Sequence, residues 1–286
     1  MVHDIDAARL SRRQLLKTVA IGAAVAGLPE LAVAKSLGAT AIDHVSYESS
    51  DYKKTRDFYA SVFGFRVSEE DDRQLYLWAG DALISAKNTP AARRPRIDHF
   101  GVTVDPWDSR VVAAVLEERR LPARFQRNDP HDPGGRSAFT RDQDGFALQL
   151  DPKDLAIRPA PTPSSAPLKA IGINHISYQC RDYRKARDFY TDLLGVTVSN
   201  DDGKQAYLWF GDVFMAVRNG ANADTVPAID YVAWTLADWD VARVSAELKR
   251  HALDARPDAT GRSVTTKDIN GYTLQLCSKE LGRRPS

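Results

Sequence analysis

Three side chains able to serve a metal or a polar ligand, His44, His99 and Gln149, fall on matching faces of three segments that alternate in polarity. Val45 and Tyr47 alternate with His44, Ser46 and Glu48; Phe100, Val102 and Val104 alternate with His99, Gly101 and Thr103. Phe146, Leu148 and Leu150 alternate with Ala147, Gln149 and Asp151. Period-two alternation marks strands with one packed face and one open face. The apolar sets go to helix packing, so the polar or small sets share the other face, which would line a cavity. Imidazoles and amides bind metals, move protons or hydrogen-bond a ligand. Two uses stay open at this point, a metal site or a pair of hydrogen-bonded histidines in a binding cavity.

The elements that must position these residues occur twice. Ile42-Asp-His-Val-Ser-Tyr47 is echoed by Ile173-Asn-His-Ile-Ser-Tyr178, and Tyr76-Leu-Trp by Tyr207-Leu-Trp. The register holds without a gap from Ile42 to Asn88, with roughly 22 of 47 positions identical, so the repeat is a whole structural module. In the first copy a strand over 42–48 precedes a helix capped by Asp51, with Thr55, Phe58, Tyr59, Val62 and Phe63 on its apolar face and Gly64 as its stop. Strands over 66–69, 74–78 and 82–87 follow, with a hairpin at Gly80-Asp81. The second half repeats this order: a strand over 97–104, a helix capped by Asp108, and strands over 123–126, 136–141 and 146–151. The fold class is α+β, two tandem modules of paired βαβββ halves. Each module would form a curved half-barrel sheet with helices outside.

Module one spans 40–155 and module two 169–281; a proline-rich linker, 156–168, separates them and reads as an extended spacer. Residues 11–17, Ser-Arg-Arg-Gln-Leu-Leu-Lys, precede an apolar stretch from Thr18 to Val33 and a small-x-small site at Ala32-Val33-Ala34. This order resembles a bacterial twin-arginine (Tat) signal peptide over 1–34 and implies export by the Tat machinery, to the periplasm or beyond. Tat substrates generally cross the membrane folded, often with a cofactor in place. The chain carries 39 basic and 38 acidic side chains, a formal net charge of +1, which gives no electrostatic case for nucleic acid or an anionic membrane. Once the signal is removed, no long apolar run is left to hold the chain in a membrane. The only cysteines, Cys180 and Cys277, sit in module two on strand positions that suggest opposite faces, with no Cys-x-x-Cys motif.

Paired βαβββ halves, Asp43-His44-Val45, Ile97-Asp98-His99 and an ending of Asp142-x-Asp-Gly-x-x-x-Gln-Leu150 resemble the vicinal oxygen chelate superfamily. Its members include glyoxalase I, extradiol dioxygenases, fosfomycin- and bleomycin-resistance proteins and methylmalonyl-CoA epimerase. The resemblance implies metal ligands on the first, fifth and eighth strands, hence His44, His99 and Gln149, with Gln in place of the usual Glu. A divalent metal (Fe, Mn, Zn or Ni) would chelate two oxygens of a small-molecule substrate and act as a Lewis acid. Module two offers His175 and Gln275, but Tyr231 replaces the second histidine, so the site belongs to module one. Two-module extradiol dioxygenases keep iron in the C-terminal module, and the glutathione of glyoxalase I is cytosolic, so neither reaction transfers directly. The expected activity is that of a metal-dependent enzyme of lyase, isomerase or ring-cleaving dioxygenase type on a small oxygenated or aromatic molecule. The alternative is a metal-free binding or sequestering protein of the bleomycin-resistance kind. Glu48, on the His44 face, is the candidate acid or base. Arg136, which recurs as Arg262, would either clamp a substrate carboxylate or form an ion pair at the strand edge. The loop 127–135, absent from module two, carries His131, which reads first as part of a solvated loop and otherwise as a group reaching a cavity mouth.

Overall fold

The computed structural model describes residues 36–89, 95–126, 136–153, 164–220, 224 and 226–282. The expected signal segment, most of the linker and the loop with His131 lie outside the described residues. In module one, β1 (Ala39–Ser49) leads into helix α1 (Tyr52–Phe63), then β2 (Arg66–Glu70), β3 (Gln74–Ala79) and β4 (Ala82–Asn88). The second half runs β5 (Ile97–Val104), α2 (Ser109–Glu118), β6 (Arg124–Gln126), β7 (Ser137–Arg141) and β8 (Ala147–Asp151). Module two repeats the plan with β9 (Ala170–Cys180), α3 (Tyr183–Leu194), β10 (Thr197–Ser199), β11 (Gln205–Phe210) and β12 (Val213–Asn219). It ends with β13 (Ala228–Leu236), α4 (Val241–Arg250), β14 (Arg256–Pro257), β15 (Ser263–Lys267) and β16 (Thr273–Cys277).

Short-range chemistry sets the helix ends. The Asp51 carboxylate accepts from the backbone N–H groups of Lys53 and Lys54, and Gly64 closes α1 at φ 70°, a left-handed conformation that costs glycine little. Each module is one curved, mixed eight-stranded sheet, in the order β2-β3-β4-β1-β5-β8-β7-β6 and its counterpart β10-β11-β12-β9-β13-β16-β15-β14. The halves meet where β1 pairs antiparallel with β5, and each of these strands pairs in parallel with a strand of its own half, β4 or β8. The histidine-bearing strands are therefore the two central ones.

Val45, Tyr47, Phe100, Val102, Leu148 and Leu150 are fully buried, on the face that the alternation assigned to packing. Each such side chain contributes on the order of 1.5–3 kcal/mol by leaving water. The two modules share one core, and the helices take part in joining them. Tyr59 on α1 donates its hydroxyl to Asp268 at 3.0 Å, while Tyr190 on α3 donates to Asp142 at 2.9 Å and Tyr178 on β9 donates to the same carboxylate. The Asp-x-Asp-Gly turn of module one is thus a hairpin and a latch to module two. Gly80 and Gly211 tighten the join from both sides: a Cβ on Gly80 would lie 1.9 Å from the Ile171 carbonyl oxygen, and one on Gly211 would lie 2.7 Å from that of Thr40.

The linker is more than a spacer at its end, because Leu168 is fully buried and its N–H donates to the Val62 carbonyl at 3.2 Å. Cys180 and Cys277 are buried free thiols. Among the described residues no helix is long and apolar enough to cross a membrane.

Candidate metal centre

The β1–β5 pairing is interrupted at three points, and two of the interruptions serve a histidine. Ile42 faces Val102 and His44 faces Gly101, which leaves Asp43 as an extra residue on β1; Ser46 faces His99 and Tyr47 faces Ile97, which leaves Asp98 as an extra residue on β5. A β-bulge of this kind re-aims a side chain that strict alternation would send to the other face. Asp43 Oδ1 lies 2.6 Å from His44 Nδ1, and Asp43 Oδ2 accepts from the Thr103 hydroxyl at 2.8 Å. Asp98 Oδ1 lies 3.2 Å from His99 Nδ1, and Asp98 Oδ2 accepts from Lys87 Nζ at 2.6 Å. The two imidazoles stand edge to face with centroids 5.3 Å apart. Gly101 makes room for one of them, since a Cβ there would lie 2.0 Å from His44 Cε1.

Gln149 is buried beside them; its amide donates to Asp151 Oδ1 at 2.9 Å and to Ser137 Oγ at 3.3 Å. Asp151 Oδ2 lies 3.6 Å from His44 Nδ1 and is buried without a hydrogen-bond partner among the described residues. Burial, then the Asp43 charge, raises the Asp151 carboxyl far above the usual carboxylate range. Burial alone would lower His44, but the Asp43 hydrogen bond and the charges of Asp43 and Asp151 outweigh it and raise that imidazole. Burial wins at His99 and lowers it, against the opposing pull of Asp98. Burial would raise Asp98, but His99 and Lys87 hold it well below its ordinary value.

These residues fit a divalent ion in one particular way. Asp43, His44 and Asp151 offer ligand atoms within 4.8 Å of one another. The 2.6 Å contact between Asp43 and His44 is a hydrogen-bond distance, however, and two donors on one ion at about 2.0–2.2 Å sit roughly 3 Å or more apart. Asp43 is thus bonded to Nδ1 of His44 and Asp98 lies beside Nδ1 of His99, which would leave Nε2 of each ring to meet an ion, the arrangement that fixes tautomer and raises ligand basicity. The donor set is two imidazoles and an amide, with anions one bond further out.

A cavity of about 810 Å³ opens onto this centre and is lined by His44, His99, Gln149, Tyr76, Phe139 and Arg136, among others. The three expected ligands are thus brought together, and Arg136 stands exposed at the rim. Glu48 does not join them. It is buried at the end of β1, with Arg96 Nε 3.5 Å from its carboxylate and its carbonyl accepting from Tyr272 of module two. Glu48 lies further along β1 than the cavity, at the join between modules, where Tyr272 reaches its carbonyl. Alternation missed Asp43 and Asp98 because bulges break it; the signal available was an Asp directly before each histidine.

Module two keeps the frame, with Asp230 in the place of Asp98, and loses the other two carboxylates. Asn174 stands for Asp43, Tyr231 for His99 and Cys277 for Asp151, as the strand pairings place them. The His175 Nδ1 lies 2.7 Å from Asn174 Oδ1, and its Nε2 lies 3.3 Å from the Tyr231 hydroxyl. Phe214 stacks on the ring at 4.4 Å, where module one has Leu83. Burial lowers His175 to about 3, so it stays neutral, and burial with the Asp230 charge raises Tyr231 to about 12, far from the ionised form a metal would need.

Comparison with known proteins agrees with the doubled plan. The family Glyoxalase, described as the Glyoxalase/Bleomycin resistance protein/Dioxygenase superfamily, matches residues 41–150 and again 172–275. Metallothiol transferase FosB of Staphylococcus epidermidis is 26% identical over 123 residues, covering 40% of this chain and 88% of that protein. The uncharacterized protein YaeR of Escherichia coli (strain K12) is 27% identical over 128 residues, covering 40% of this chain and 97% of that protein. Among solved structures, the Mn(II)-bound glyoxalase from Novosphingobium aromaticivorans superposes with a TM-score of 0.68 at 19% identity, over 85% of this chain and 83% of that one. Homoprotocatechuate 2,3-dioxygenase from Brevibacterium fuscum, in complex with 3,4-dihydroxyphenylacetate, gives a TM-score of 0.70 at 17% identity, over 85% of this chain and 82% of that one. At such identities the structural likeness speaks for the fold alone. With a match over each module, and both together covering most of its length, the chain belongs to the glyoxalase/bleomycin resistance protein/dioxygenase superfamily.

Proposed function

We propose that module one is a divalent-metal-dependent enzyme acting on a small oxygenated or aromatic molecule, with His44, His99 and Gln149 as the protein ligands. The observation that carries this is the pair of bulged aspartates, one 2.6 Å and the other 3.2 Å from Nδ1 of a histidine that lines one cavity. The names of relatives, a metallothiol transferase and an Mn(II)-bound glyoxalase, support metal dependence. Bound there, Fe, Mn, Zn or Ni would supply Lewis-acid polarisation of substrate oxygens. The chain's own residues do the rest: Asp43 and Asp98 fix the rings, Tyr76 and Phe139 wall off water, and Arg136 meets the substrate at the rim. Lyase, isomerase and ring-cleaving dioxygenase chemistry are the reaction types in view. Full-length protein purified from its native export route should carry about one divalent ion per chain. The same ion content after His44→Ala with His99→Ala would place the ion elsewhere and refute the assignment.

One observation favours a second reading, a metal-free binding protein using the same cavity. The third donor is the oxygen of a neutral amide whose nitrogen is held by Asp151 and Ser137, so no carboxylate among the three neutralises an ion directly. Ligand binding that is indifferent to chelators would decide for it. We also propose export through the twin-arginine route, on the strength of Arg12-Arg13 and the cleavage site at Ala32-Val33-Ala34. Arg12→Lys with Arg13→Lys should leave the protein in the cytoplasmic fraction, and unchanged export would argue against that route.

A further inference from the structure

We infer that the substrate is an anion, and that Arg124 receives its carboxylate or other planar oxyanion at a subsite beside His99; this rests on the metal-dependent reading above. Arg124 on β6 and Phe139 on β7 are cross-strand partners. The Arg124 guanidinium lies over the Phe139 ring, 4.2 Å from its centroid. Phe139 in turn stands edge to face with His99, centroids 5.6 Å apart. All three line the same cavity. A guanidinium laid on an aromatic face loses little freedom when it binds, and its planar fork matches a carboxylate with two parallel hydrogen bonds.

Of the other charged groups lining the cavity, Glu69 and Arg136 among them, two cations are held by the protein itself. Lys87 is bonded to Asp98, and Arg141 donates to the Gly145 carbonyl at 2.7 Å. Among the described residues Arg124 forms no ion pair. Module two provides the internal control. Its counterpart Arg256 pairs across the strands with Thr265 instead of an aromatic residue, and is neutralised by Asp254 at 3.2 Å. Module one has Pro122 where module two has Asp254. Among the described residues, the module with the histidine pair thus has both the aromatic support and a cation with no ion pair, and the module without it has neither.

The test compares two chelators on manganese-loaded, full-length protein by calorimetry. Acetohydroxamate presents two adjacent oxygens alone; succinate monohydroxamate presents the same pair with a carboxylate. The carboxylated probe should bind about 5–10-fold tighter at low salt, with the advantage shrinking as salt is added, because the site is open to solvent. Arg124→Gln should erase the advantage while leaving manganese and acetohydroxamate affinities within twofold. Phe139→Leu should reduce it. Equal binding of the two probes by the wild type, or an advantage that survives Arg124→Gln, overturns the inference. If manganese does not bind at all, the metal reading has failed, and succinate becomes the probe on metal-free protein. Succinate binding that Arg124→Gln abolishes would still support the anion subsite, and binding indifferent to Arg124 would overturn it.

Discussion

Asp43→Asn separates the charge at His44 from the geometry that holds the ring. The protein has already made this substitution in its second module, where Asn174 holds His175 Nδ1 at 2.7 Å, against 2.6 Å for Asp43 and His44. The ring should therefore stay in place, with the oxygen of the introduced amide as acceptor. What changes is the strength of the bond: a hydrogen bond to a charged group is worth about 1.5–3 kcal/mol against about 0.5–1.5 kcal/mol for a neutral one. The difference, roughly 1–1.5 kcal/mol, corresponds to about a 5–15-fold loss of metal affinity if that bond strengthens His44 as a ligand. Asp43→Ala also removes the partner of the Thr103 hydroxyl and leaves only Asp151, at 3.6 Å, near the ring nitrogen, so a loss of up to about 100-fold is expected. Calorimetric titration with Mn(II) and Zn(II) at about pH 8, where proton competition is weakest, reads both values. If Asp43→Asn binds as tightly as the wild type while His44→Ala does not bind, the carboxylate contributes nothing to the ligand and the reasoning is wrong.

Three further outcomes follow from the same geometry. Gln149→Glu puts a carboxylate where an amide now donates to Asp151, so the metal-free protein should lose about 2–3 kcal/mol of stability while Mn(II), Zn(II) and Fe(II) bind more tightly; weaker binding of all three would remove Gln149 from the ligand set. His175→Ala should leave turnover within a few-fold, whereas His44→Ala should lower it by orders of magnitude in a folded protein. Asp142→Ala should cost about 2–4 kcal/mol in urea titrations, because it strips two tyrosine hydroxyls and the N–H groups of Asp144 and Phe146 of their acceptor. Burial raises the Asp142 carboxyl above its ordinary 3.8, so its contribution to stability is fullest below that value and is lost as pH rises through the raised one; Asp142→Asn should flatten this part of the profile.

The sequence by itself determined the doubled βαβββ plan, since caps, turns and period-two alternation are set by neighbours along the chain. Asp51, Gly64 and the apolar sets of β1, β5 and β8 needed no tertiary information, and the tyrosine in place of a second histidine marked module two as the weaker site. Only the tertiary structure decided which side chains share a face once the ladder slips. Asp43 and Asp98 reach their histidines because two bulges turn them, and a bulge belongs to the pairing of two strands rather than to either strand's own pattern. Glu48 keeps the alternation of β1 but lies at the join between modules, which only the packing of the second module decides. The turn at Asp142 became a latch, and Leu168 became core, because burial against the other module depends on a pairing between segments far apart in the chain.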